Sequence, residues 1–232
     1  MFTTQSNSWV QSVSWPRDRK PFRIPQRQIA LRKEHIATTD THLLLKPQGG
    51  AQSAVRFKII DDYNDSTKFT VTGKKYSDRS CREIRDSSGL PLFEIHEKAR
   101  FAHKWFVTLP GSNEATVANA AVKYSLKYGI NDFGMSFENQ AALETKDQEN
   151  KQVNLVVERH GNSIPRFDVV DGDRTVACVK ESWEHNRTWP LMTTGYRKTQ
   201  PVLDISVAAG ADLSLGAAVG VILSDWAYMA YK

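Results

Sequence analysis

Residues 203–231 read LDISVAAGADLSLGAAVGVILSDWAYMAY, the most apolar stretch of an otherwise polar, basic chain. Two periods divide it. From Leu203 to Val207, apolar Leu203, Ile205 and Val207 alternate with Asp204 and Ser206, the pattern of a strand with one buried face. After Ala208-Ala209-Gly210, Asp212 stands where a helix N-cap belongs, since its carboxylate can accept from the unpaired amides of a first turn. From Leu213 to about Met229 nearly every position is apolar, so a helix there must be surrounded on all sides, by lipid or by protein.

Length and charge choose between those surroundings. A spanning helix needs about 20 apolar residues. The longest charge-free run here is the twelve residues from Leu213 to Ser224, bounded by Asp212 and Asp225. Starting the span at Ile205 instead would place Asp212 in hydrocarbon, at about 2.5–3.5 kcal/mol near the centre. Gly216 and Gly220, spaced as GxxxG, permit close approach of a neighbour in either setting. The expectation is a buried core helix, with Asp212 at its start and Gly216 and Gly220 against the wall around it. A tail anchor is the alternative that this length disfavours.

The rest of the chain must then supply the wall. With 232 residues it can bury a sizeable core as one large domain or two small ones. From about Thr41 short alternating segments recur between turn signals, as in Ala54–Asp61, Lys68–Gly73 and Cys81–Asp86. Ser87-Ser88-Gly89 joins Cys81–Asp86 to Pro91–Glu97 as a hairpin, and His160-Gly161-Asn162 joins Val153–Arg159 to Ile164–Val170 in the same way. Ending with Val202–Ala208, twelve strands precede the single helix. Their close spacing predicts a sandwich or closed barrel rather than βαβ units.

Charge is uneven along the chain. The formal net charge is +5, yet residues 1–40 alone hold seven Lys or Arg against Asp18, Glu34 and Asp40. Residues 1–27, rich in Ser, Gln, Pro and Arg, read as a flexible basic leader, and residues 28–232 as the folded domain. The leader lacks the apolar core of a secretory signal. Cys81 and Cys178 have no CxxC spacing, which suits unpaired thiols in a reducing, intracellular setting. The Asn64 and Asn186 glycosylation patterns then read as chance matches.

Specific strings point further. Phe69-Thr-Val-Thr-Gly73, Ile84-Arg-Asp-Ser-Ser-Gly-Leu-Pro-Leu-Phe-Glu-Ile95, Lys98 and His103-Lys104-Trp105-Phe106-Val107 come in order before Val207-Ala-Ala-Gly-Ala-Asp212. In this combination the chain resembles the LURP-one-related family, of the tubby C-terminal-like group that also contains the phospholipid scramblases. The resemblance spans about residues 30–231. It implies a mainly β fold, a twelve-stranded antiparallel closed barrel enclosing the C-terminal hydrophobic helix. Tubby domains hold phosphoinositide headgroups with clustered Lys and Arg. Their lysine pattern has no position-for-position counterpart here, so membrane contact is implied only by analogy of fold.

No GxSxG, GxGxxG, Walker A, HExxH or EF-hand pattern occurs, so an enzyme is not expected. Six scattered histidines without an i,i+4 pair give no metal-ligand spacing, and neither a metal nor a cofactor is expected. The best ligand candidate is the stretch Lys98, Arg100, His103 and Lys104, with Phe101 and Trp105 as rings for an apolar portion and Lys74, Lys75 and Arg79 near in sequence. Arg187, Arg197 and Lys198 beside Trp189 form a second basic cluster of the same composition. Each cluster is equally what solvated loop tips look like.

Three functions fit. The first is a non-catalytic binding or adaptor protein, a monomer at the cytoplasmic surface of membranes, meeting anionic phospholipid headgroups through basic loops. The second is an enzyme or carrier for a small hydrophobic molecule, which requires a ligand-sized cavity. The third is a defence- or transcription-related interaction protein, although the leader has no dense basic block and nucleic acid is not an expected partner. The first is preferred.

Overall fold

The computed structural model describes residues 17–48, 56–73, 81–98, 103–111, 115–125, 130–143, 150–161, 165–186 and 200–228. Twelve strands run in sequence order: β1 (Thr41–Gln48), β2 (Arg56–Asp61), β3 (Thr67–Gly73), β4 (Cys81–Asp86), β5 (Pro91–Lys98), β6 (Lys104–Thr108), β7 (Thr116–Ser125), β8 (Ile130–Glu138), β9 (Gln152–His160), β10 (Arg166–Asp171), β11 (Arg174–Glu181) and β12 (Leu203–Val207). Each pairs antiparallel with the next, and β12 returns to pair with β1, so the sheet closes into a barrel. Closure removes every free edge. Register shifts at Ile59/Ile60, Ile84/Arg85, Val107/Thr108 and Val169/Val170 mark bulges, which bend the sheet toward closure.

The helix α1 (Leu213–Trp226) fills the barrel, and every residue from Ser214 to Ser224 is buried. Its fit depends on the two glycines. A Cβ on Gly216 would stand 2.7 Å from Val207 Cγ2, and one on Gly220 would stand 2.5 Å from Ile205 Cδ1. Only a bare backbone lets α1 lie this close to β12. No helix among the described residues is long and apolar enough to cross a membrane.

Both aspartates that bound the apolar run have partners inside the fold. Asp212 is fully buried and caps α1, accepting from the Ser214 N–H at 2.6 Å and the Ser214 hydroxyl at 2.8 Å. It also accepts from the backbone N–H groups of Leu31 and Arg32, each at 2.9 Å. Burial pushes its carboxyl up, and the hydrogen bonds from Ser214 and Arg32 oppose that shift. At the other end, Asp225 receives a two-pronged contact from Arg82, at 2.7 and 2.8 Å.

The barrel is closed at both ends. At the lower rim, where α1 begins, buried Ile29, Leu31 and Ala37 cover the interior, held by backbone bonds from Ile29 to Gly210 and from Ala37 to Ala211. Asn139, also fully buried, accepts from the Ala30 N–H and donates to the Gln28 carbonyl. At the upper rim Trp226 meets Trp105, Phe133 and Phe167 at ring separations of 5.8–6.3 Å.

Residues 17–27, the second part of the basic leader, lie along the outside of β8 to β11. Arg23 donates its N–H to the Thr175 carbonyl at 3.1 Å, and Thr175 donates back to Pro21 at 2.8 Å. Charge complementarity holds this segment, whose cations face carboxylates of the barrel wall. The leader up to residue 16 lies outside the described residues.

Candidate functional site

Two neighbouring patches of the outer wall carry the charged chemistry. The first is an acidic row. Asp132, Glu158 and Asp168 lie side by side on β8, β9 and β10 and point outward, yet all three are buried. Segment 17–20 buries them. Arg17 meets both carboxylate oxygens of Asp132 at 2.8 and 3.0 Å, Lys20 meets Glu158 at 2.7 Å, and Arg19 meets Asp168 at 2.9 Å. Burial alone would raise the Asp168 carboxyl, but the hydrogen bonds and charges of Arg19 and Arg166 hold it below its ordinary value. His160, facing Asp168 at 3.6 Å and Glu158 at 3.8 Å, is pushed down by burial despite those carboxylates. Cys178, the cross-strand partner of Asp168, has its thiol pushed up by burial to about 12, which disfavours the reactive thiolate. Cations of the chain itself meet all three carboxylates of this patch, while Glu158 Oε2 and His160 Nε2 stay buried without a hydrogen bond.

The second patch lies on β6 to β9 and is open. It is a groove of about 410 Å³ whose floor is made by small residues, Ala121, Gly134 and Ser136. Phe106 and Val156 form its apolar sides, while Lys104 and Lys123 stand over it. Strand register explains the arrangement. Lys104, Ala121, Gly134 and Val156 are successive cross-strand partners, so they face the same way. Gly134 leaves room for the Lys123 chain, because a Cβ there would lie 2.8 Å from the Lys123 Nζ.

Lys98 adjoins the groove from β5. It sits directly opposite Lys104, with its Nζ 4.5 Å from the centre of the Phe106 ring. Lys98, Lys104 and Lys123 are all exposed, and no ion pair joins any of them to an acid among the described residues. Asp132 is the cross-strand partner of Lys123, but Arg17 and the Arg159 N–H already occupy its carboxylate. Docking of the leader therefore leaves the Lys123 ammonium outward and unneutralised.

The expected site residues divide accordingly. Lys98 and Lys104 come together as read. His103 remains exposed but holds Glu97 at 2.7 Å and stacks on Trp105, so its ring is committed within the protein. Trp105, expected to offer a ring to a ligand, is 2% exposed and belongs to the core; the outward ring is its neighbour Phe106. Lys74, Lys75, Arg100, Arg187, Arg197 and Lys198 lie outside the described residues. The strand ends that flank them, Gly73, Lys98 and Glu181, all stand at the upper rim, as does Lys104. Lys123 was missed, although the outward alternation of Asn119, Ala121 and Lys123 in β7 is a signal that could have found it.

A helix-filled, twelve-stranded antiparallel barrel with charged outer patches defines the class of protein. The LURP-one-related family matches residues 41–225, from the first residue of β1 to the last turn of α1, and the chain belongs to that family. Its fold is similar to that of an Arabidopsis thaliana protein solved by X-ray crystallography, with a TM-score of 0.52 at 18% identity, over 85% of this chain and 98% of that one. No curated protein matches it.

Proposed function

We propose that this protein is a non-catalytic binding or adaptor protein that meets anionic phospholipid headgroups as a peripheral protein at a cytoplasmic membrane surface. The observation that carries the reading is the group Lys98, Lys104 and Lys123, exposed beside an outer groove and without acidic partners among the described residues. An ammonium near an anionic bilayer contributes about 1 kcal/mol. Three such groups then favour binding by about 3 kcal/mol, on the order of a hundredfold.

Sedimentation with phosphatidylserine or phosphoinositide vesicles tests it. Binding at low salt that weakens with added salt, and is lost in Lys98→Glu/Lys104→Glu/Lys123→Glu, supports the reading. No binding at low salt ends it.

A carrier is the second reading, favoured by the apolar sides of the groove. Because α1 occupies the interior, such a carrier would use this outer groove. Protection of Lys104 and Lys123 from acylation by a soluble, short-chain anionic amphiphile, without any vesicle binding, would favour it over the first.

A further inference from the structure

Next to the lysine groove, three side chains of different ligand chemistry converge on the outer face of β4 and β5. Cys81 and His96 are cross-strand partners, and Glu94 lies one pleat from His96 on the same face. The Cys81 Sγ, a Glu94 carboxylate oxygen and a His96 ring nitrogen all lie within 4.8 Å of one another. Cys81 and Glu94 are buried, at 7% and 4% exposure.

The details fit ligation better than direct hydrogen bonding. His96 Nε2 lies 3.3 Å from Glu94 Oε2, yet it is buried and makes no hydrogen bond. Two ligand atoms bound at about 2.0–2.1 Å to a tetrahedral ion stand about 3.3 Å apart. The Glu94 carboxylate is also oriented from behind. Its Oε1 accepts the Gly111 N–H at 3.2 Å, which turns Oε2 toward the imidazole. Outer hydrogen bonds of this kind commonly fix ligand carboxylates. Sulfur at about 2.3 Å from the same ion would stand about 3.5 Å from the other ligand atoms, within reach of a side-chain rotation from the present spread.

We propose that Cys81, Glu94 and His96 form a site for a divalent transition ion, with zinc the best match to one sulfur, one nitrogen and one oxygen ligand. Cys81 binds as the thiolate and releases its proton, His96 binds as neutral imidazole through Nε2, and Glu94 binds through one oxygen. Water takes the fourth position. The ion ties β4 to β5 on the wall beside Phe106, independently of what the lysine groove binds. Twelve residues lie between Cys81 and Glu94, so no ligand spacing joins them in the sequence; β4–β5 register supplies the proximity.

The full chain, stripped with a chelator, is titrated with cobalt(II) and followed by its absorption spectrum. The expected result is one equivalent bound, with a thiolate-to-cobalt charge-transfer band and the intense visible bands of four-coordinate cobalt, both displaced by zinc. Glu94→Gln and His96→Ala each weaken binding by roughly tenfold or more, and Cys81→Ser abolishes the charge-transfer band. Should Cys81→Ser fail to fold, the other two variants, checked by circular dichroism, carry the test. Absence of the band in the wild type overturns the proposal. So does a band of undiminished affinity in Glu94→Gln and His96→Ala, which would place the cobalt on another thiol.

Discussion

The acidic row of β8 to β10 and the lysine groove of β6 to β9 share two strands, yet they differ in how their charge is handled. On the acidic row, three carboxylates face cations from a distant part of the chain and are removed from water. On the groove, three ammonium groups remain exposed without an acidic partner among the described residues. Arg17 links the two, since it occupies the carboxylate of Asp132, the cross-strand partner of Lys123. A charged surface patch is therefore informative about ligands only after the protein's own chain has been accounted for. The basic leader is the example. Its composition suggests an external anion, and residues 17–20 meet an internal one.

The comparison assumes that both patches ride on one rigid wall, and the largest test attacks that wall. Gly220→Leu drives a side chain into Ile205 and should destabilise by about 3 kcal/mol or more. Thermal melting would check this, and a wild-type melt would refute the enclosed helix. The lysine triple variant should lose vesicle affinity on the order of a hundredfold with an unchanged melting temperature. Asp168→Ala should show the reverse. It leaves Arg166 and Arg19 without their shared acceptor, which should destabilise by about 2 kcal/mol in a urea titration, while vesicle binding persists.

Acid should weaken the strapped patch in two steps. His160 faces Asp168, Glu158, Arg17 and Arg19, and its pKa is lowered in the fold mainly by burial. The unfolded chain takes up that proton near pH 6.5 while the folded imidazole resists it, so stability falls as pH drops from about 6.5 toward the lower folded value. The Asp168 carboxylate is depressed instead by its arginines. Its contribution is complete above about pH 3.9 and is lost as pH falls through the lower folded value. Urea midpoints against pH should show both steps, and His160→Gln should remove the upper one. The smallest effect belongs to Arg17→Ala. Releasing Asp132 lets Lys123 turn toward it, so vesicle affinity should fall a few-fold; no change would mean that the two patches are not coupled.

Strand content was legible because alternation is local. Cys81–Asp86 was read to the residue, and most other ends fell within one or two positions. The helix start was legible because Asp212 is both a cap and a charge limit. Of the candidate site, Lys98 and Lys104 were legible as exposed cations. Trp105 was misread because one step along a strand exchanges inside for outside, and only the register shows that Phe106 faces out.

The sequence by itself determined the twelve strands, the enclosed helix and the glycines that helix requires, since these follow from period, length and side-chain size within a few neighbouring residues. Tertiary structure alone decided that Arg17, Arg19 and Lys20 would meet Asp132, Asp168 and Glu158 across more than 100 residues. It alone set Lys123 beside Lys104, and Cys81 beside Glu94 and His96. Those meetings depend on which strands pair and in what register, a property of the closed barrel as a whole that no local stretch of sequence contains.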